Sequence, residues 1–290
     1  MAPPGARDLF VEANGLRLHL LDWGGDGQPI LLIHATGFLA ALWHPVAVSL
    51  STRARVLGLD LRGHGDSEPG DSYYWSHFPD DVGGVLSALD LGPVVIVGHS
   101  VGGAAAALCA ARHPYLVNGL VLVDPVIYPE WLYDRPQLAE ESDLYRSAGR
   151  RRRTWPSREE MRRSLEGKLP FVRWRPEVFE LYVQESVRAS SDGQVTLKCS
   201  PETEAAIYRE TLRFNLWPEI VTARVPALVL RGLDEEGVPS TTAPDLAALL
   251  PLAEDRPVAS ASHLIPMEAP DEVTKAVQAM LERLATAERG

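Results

Sequence analysis

The chain has 290 residues, 46% of them apolar, which suits one large α/β domain or a core carrying an insertion and is ample for a sizeable buried core. Its formal charge of -11, from 39 acidic against 28 basic residues, argues against general nucleic-acid binding and against attraction to anionic membrane. Residues 1–10 contain no apolar signal core, and no later stretch approaches the ~20 apolar residues of a membrane span, so a soluble, cytoplasmic protein is expected. Two cysteines, Cys109 and Cys199, are too few for a disulfide framework and too far apart for a metal-ligand pair.

Short apolar runs alternate with helical stretches through the first half, the pattern of a mostly parallel sheet covered by helices on both faces. Residues 16–21 predict an edge strand, and residues 29–34, 54–59, 93–98 and 119–123 predict buried strands. Helices are expected over 43–50, 75–89 and 103–113. From about 125 to 218 the pattern changes to charged, aromatic-bearing stretches, which predicts a helical cap inserted into a core of residues 1–124 and 219–290. The sheet resumes with a strand at 225–231 and a helix at 241–250, then a short strand at 257–259 and a closing helix at 271–287. Arginines concentrate in the insertion, including Arg150 to Arg153, and read first as a solvated helical face, with a partner or anionic-substrate surface as the alternative.

The chemistry begins at Gly98-His99-Ser100-Val101-Gly102, which ends the apolar run 93–97 and opens an alanine-rich helix. A serine in Gly-x-Ser-x-Gly between a strand and a helix sits on a sharp turn with its hydroxyl exposed, and the helix points amides and positive dipole at it. Serine is a weak nucleophile and needs a base, itself oriented by an acid. His263, in the loop after the last predicted strand, is placed at the carboxyl edge of the sheet, where Ser100 also belongs. Asp124 follows strand 119–123 directly at the same edge and is favoured as the acid. Asp234, Glu235 and Glu236, after strand 225–231, are alternatives. The backbone amides of Thr36, at the exit of strand 29–34, and Val101 are expected to hold the oxyanion. His34, His64, His99 and His263 form no short ligand pair, so no metal is expected, and acyl transfer by a serine, a histidine and an acid needs no cofactor.

Together these segments resemble the α/β-hydrolase superfamily over nearly the whole chain. His34-Ala-Thr-Gly-Phe38 resembles its oxyanion strand exit, Asp60-Leu-Arg-Gly-His-Gly-Asp-Ser67 the loop after its next strand, and Gly98 to Gly102 its nucleophile turn. Ser262-His263 with Pro266-Met-Glu-Ala-Pro270 resembles its histidine loop. The order of nucleophile, acid and histidine is met by Ser100 and His263 with either Asp124 or Glu235 between them. Three departures stand out: Ala35 and Ser262 replace the family's usual glycines, and Gly232-Leu-Asp-Glu-Glu-Gly-Val-Pro239 puts Glu235 where an aspartate is usual. Asp60, Arg62 and His64 are implied to be structural, and His99 is read as packing.

The resemblance implies a serine hydrolase of an ester or lactone, acting through an acyl-enzyme; the aromatic residues of the insertion favour a small to medium, apolar or aromatic substrate, while its arginines leave room for an acidic one. A C-C bond hydrolase or cofactor-free perhydrolase with the same triad, or a small-molecule receptor with vestigial turnover, are the alternatives. Haloalkane dehalogenase and epoxide hydrolase are set aside, because family members with those activities carry Asp at the position of Ser100. A small-molecule substrate is the expected partner, and the sequence does not fix an oligomeric state.

Overall fold

In a computed structural model, residues 2–234, 243–259 and 261–287 are described. The strands and helices follow in order as β1 (Arg7–Ala13), β2 (Leu16–Gly24), β3 (Pro29–Ile33), α1 (His44–Leu50), β4 (Arg55–Leu59), α2 (His77–Leu89), β5 (Val94–His99), α3 (Val101–Arg112) and β6 (Val117–Val123). The chain then leaves the sheet for α4 (Leu138–Glu141), α5 (Asp143–Ala148), β7 (Thr154–Trp155), α6 (Arg158–Leu165), α7 (Pro176–Glu185), β8 (Val187–Ala189), β9 (Val195–Leu197), α8 (Pro201–Arg209) and α9 (Trp217–Ile220). It returns with β10 (Ala227–Gly232), α10 (Ala243–Leu249), β11 (Ala253–Val258), α11 (Ile265–Glu268) and α12 (Pro270–Ala287).

Eight strands make one sheet in the order β1-β2-β4-β3-β5-β6-β10-β11, parallel from β4 to β11, with β2 antiparallel to both β1 and β4. This is an α/β fold. The period-2 alternation of strands splits the interior into two layers. Leu31, Ile33, Ile96 and Leu122 face the cluster under α2 and α3, while Ile30, Leu32, Val97 and Val123 face the cluster with α1 and α12. Strands that bury both faces need unbroken apolar runs, which is why β3 to β6 stand out in the sequence.

Edges read less clearly. The strand expected at 16–21 is not the edge, because β1 pairs outside it over Arg7–Ala13 and is mostly exposed on one face. Similarly β11 begins at Ala253, four residues before the expected strand, with Glu254 turned toward solvent and the part-buried Asp255 paired with Arg231. Charged edge strands resist further pairing and carry little apolar signal. The segment expected to be helical also contains a three-stranded sheet, β7-β9-β8. The boundary expected after Pro218 falls inside α9. Helix α10 starts among the described residues at Ala243, and the expected start near 241 lies outside them. Among the described residues no helix is long and apolar enough to cross a membrane.

Candidate active site

Strand β5 ends at His99 and α3 begins at Val101, so Ser100 alone makes the turn, with φ 57° and ψ -119°. This backbone conformation costs a non-glycine residue on the order of 1–3 kcal/mol and persists only where its surroundings hold it. They do: Ser100 N–H donates to Val123 O at 3.1 Å, and Ser100 O accepts from the amides of Gly103, Ala104 and Val126 at 3.0–3.1 Å. The flanking glycines are required by close approach. A Cβ at Gly102 would lie 2.6 Å from Ile33 O and 2.7 Å from His34 O, and one at Gly98 would lie 2.7 Å from Gly103 N.

Asp124, the first residue past β6, has φ 44° and is 1% exposed. Its amide donates to Leu230 O at 2.7 Å, which fixes the turn against β10. Its Oδ2 accepts from His263 Nδ1 at 2.7 Å, across 139 residues of chain. A carboxylate there selects the Nδ1–H tautomer and leaves Nε2 as the basic lone pair. Of the alternative acids, Asp234 is half-exposed and bonded to Arg173 at 2.7 Å. Glu235 and Glu236 lie outside the described residues.

The histidine loop is held by groups that sequence reasoning missed. Ser262 N–H and Oγ–H donate to the two oxygens of the buried Glu268 carboxylate, both at 2.8 Å, and Arg173 Nε approaches that carboxylate at 3.3 Å. The serine that departs from the usual glycine therefore anchors the loop to the start of the C-terminal helices. His99 does more than pack: its Nε2–H donates to His263 O at 2.8 Å, and the two rings lie 5.1 Å apart. Burial, reinforced by the charge His263 can carry, pulls His99 well below the ordinary histidine range, so it stays a neutral donor. No motif rule links residues 164 positions apart, and only the proximity of His99 to Ser100 hinted at this bond.

The turn carrying Thr36 is equally supported. Gly37, at φ 80°, donates its amide to His64 Nε2 at 3.0 Å, while His64 Nδ1–H donates to Arg62 O at 3.0 Å. Burial holds the His64 ring at a pKa of about 3, so its Nε2 remains an acceptor. His34 does the same from the other side, donating to Ala35 O at 2.8 Å and accepting from Leu61 N–H at 3.0 Å. Arg62 is locked by a bidentate pair to Asp81 at 2.6 and 2.7 Å. Asp60 accepts from His19 Nδ1 at 2.7 Å and from the amides of Ala40 and Asp66 at 2.7 and 3.0 Å. Burial opposes its ionisation, but the hydrogen bond and charge of His19 prevail and hold it well below the usual carboxylate range. Arg151, expected on a solvated face, instead packs beside Gly37, paired with the buried Glu204 and bonded to Tyr182 Oη at 2.5 Å.

Neither the Thr36 nor the Val101 amide donates to another described residue. Both residues share with Ser100 and His263 one narrow cleft that is partly open to solvent. Its other walls come from the excursion between β6 and β10, through Val126, Tyr128, Leu144, Tyr208 and Thr211, with Trp75 from before α2. For metals, His19, Asp60 and Asp66 bring ligand atoms within 4.8 Å of one another, but their atoms already bond one another and Lys198, whose Nζ lies 2.6 Å from Asp66.

A parallel sheet with a serine at the strand-to-helix turn, and a histidine–aspartate pair at the same edge, defines the class of α/β hydrolases. A family model of the α/β-hydrolase fold matches residues 28–270, and the chain belongs to that family. An uncharacterized protein of Mycobacterium tuberculosis is 41% identical over 124 residues, covering 42% of this chain and 36% of that protein, so the match spans about a third of that relative's length. The (E)-2-((N-methylformamido)methylene)succinate hydrolase of Acinetobacter baylyi is 26% identical over 89% of this chain and 92% of its own. Among solved structures, an E-2-(acetamidomethylene)succinate hydrolase shares the fold with a TM-score of 0.84 and 23% identity, covering 96% of this chain and 99% of that one.

Proposed function

We propose that the protein is a serine hydrolase that cleaves a small to medium ester or lactone through an acyl-enzyme, with Ser100 as nucleophile, His263 as base and Asp124 as its orienting acid. The observation that carries this reading is the 2.7 Å bond from His263 Nδ1 to Asp124 Oδ2 on the cleft that Ser100 lines. Ser100 Oγ attacks the carbonyl while His263 Nε2 accepts its proton, and the same proton passes to the departing alkoxide. The tetrahedral oxyanion is bound by the Thr36 and Val101 amides, and Val101 adds the N-terminal dipole of α3. Water then attacks the acyl-enzyme with His263 again as base, releasing the acid and free Ser100. No cofactor takes part, residues 125–218 act as the cap over the site, and the enzyme works as a soluble cytoplasmic protein.

Steady-state hydrolysis of nitrophenyl esters of graded acyl length tests this reading, alongside labelling by a serine-reactive phosphonate. Multiple turnovers with a length optimum are expected, and Ser100→Ala loses both turnover and label. A folded wild type that is labelled but releases at most one equivalent of product is a receptor rather than an esterase. A second reading, hydrolysis of a substituted methylenesuccinate, is favoured by similarity to the Acinetobacter baylyi enzyme over 89% of the chain. It is opposed by a cleft whose described lining includes no lysine or arginine. Turnover of such a dicarboxylate faster than of any neutral ester would reverse the order.

A further inference from the structure

Two phenols in the cleft have no role in the chemistry above. Tyr128 follows β6 and Tyr208 lies near the end of α8, and both line the space reached by Ser100 and His263. The hydroxyl of neither forms a hydrogen bond with a described residue, although the main chain of Tyr128 is fully used, its amide on Tyr133 Oη at 3.2 Å and its carbonyl on Trp217 Nε1 at 2.8 Å. Those bonds pin the backbone that carries the first phenol, and the helix carries the second. A half-buried hydroxyl without a protein partner is completed by water or by a ligand. Burial keeps both phenols protonated, and ionising Tyr208 is further opposed by Glu204. They are therefore neutral groups that can donate to an acceptor.

The charge around them is balanced. Arg151, the guanidinium nearest the turn at Gly37, is taken by Glu204 and by the hydroxyl of Tyr182. Among the described lining residues only His263 can carry charge. A carboxylate entering this cleft would lose water without meeting a free cation among the described lining residues, which is costly, whereas a ketone or amide oxygen loses far less.

We propose that Tyr128 and Tyr208 form a neutral hydrogen-bonding subsite that selects acyl groups bearing a second uncharged oxygen acceptor, a ketone, ester or amide carbonyl, over plain alkyl groups and over groups ending in a carboxylate. This rests on the acyl-hydrolase reading of the same cleft. A site built around hydrogen-bond donors discriminates against the analogue that cannot engage them, because the donors are then left unpaired.

The test compares kcat/KM for 4-nitrophenyl hexanoate, the 4-oxopentanoate, 5-oxohexanoate and 6-oxoheptanoate esters, and the hydrogen glutarate ester. At least one oxo ester is expected to exceed hexanoate by about tenfold, with glutarate below hexanoate. In Tyr128→Phe and Tyr208→Phe the ratio of the best oxo ester to hexanoate falls, and in the double variant it approaches one. Glutarate turned over as fast as hexanoate, or an oxo-to-alkyl ratio near one in the wild type, overturns the proposal even if a variant fails to fold. So does a ratio that survives in the folded double variant. Calorimetric binding of the corresponding N-phenyl amides to Ser100→Ala makes the same comparison without turnover. Preferential binding of the oxo amide by an enzyme that hydrolyses nothing leaves the subsite standing and removes the hydrolase reading. Turnover without preference does the reverse.

Discussion

At the scale of single residues the decisive contact is the one between His263 and Asp124. Asp124→Asn keeps the size of the side chain but offers an amide, which no longer selects the Nδ1–H tautomer or stabilises the imidazolium. We expect kcat to fall by roughly 10²–10⁴ with the fold retained, measured as ester turnover beside a circular-dichroism melt. Near-normal turnover would return the role to the carboxylates after β10. Ser100 and His263 were legible because each lies in a local pattern with a chemical reason, a small-residue turn after an apolar strand and a histidine at a loop after the last strand. Asp124 was legible as a carboxylate ending a strand at the right edge. The support of His263 by His99, and of Ser262 by Glu268, was not. A hydrogen bond between distant segments leaves no periodicity or spacing in the chain, and His99 reads as filling until the carbonyl it meets is known.

At the scale of elements, β5, α3 and β3 form one tightly packed unit in which main chain touches main chain. Gly102→Ala would push a methyl against the carbonyl oxygens of Ile33 and His34 at 2.6 and 2.7 Å, neither of which is a flexible side-chain end. Backbone must move, at the exit of the strand that leads to Thr36. We expect a loss of about 1–3 kcal/mol in stability by denaturant unfolding, together with reduced kcat; an unchanged unfolding midpoint would show that α3 and β3 move apart more easily than their packing implies. The elements that the sequence revealed are those buried on both faces, β3 to β6, and the long amphipathic α12. Those it concealed, β1, β7 to β9 and the start of β11, are short or solvent-facing, and their polar residues satisfy a strand and a loop equally well. The excursion after β6 was recognisable by its change of composition, while its small sheet depends on pairing between Thr154 and Thr196 that no local rule supplies.

For the whole molecule, pH acts through histidines that burial has separated into two kinds. His34, His64 and His99 are all pulled below 6.5 by burial and stay neutral in the fold. The unfolded chain binds protons there as pH drops below about 6.5, so stability is lost on acidification, by up to about 1.4 kcal/mol per pH unit for each histidine. His19 runs the other way. Burial lowers it, but the hydrogen bond and charge of Asp60 win and raise it, so its contribution is complete below 6.5 and is lost as pH rises through its folded value. Melting temperatures across pH 4.5–9 should therefore decline on both sides of neutrality and more steeply on the acid side; a flat acid limb would mean that these rings are protonated in the fold. The sheet's register has a consequence of another kind. His99 and Val123 are paired across β5 and β6, so the residues that follow them, Ser100 and Asp124, ride on one slab, while Tyr128, Leu144 and Tyr208 belong to the excursion. On the proposed hydrolase reading, inheritance can act on the two separately: substitutions in the excursion would change which substrate is taken while Ser100 and Asp124 stay in place.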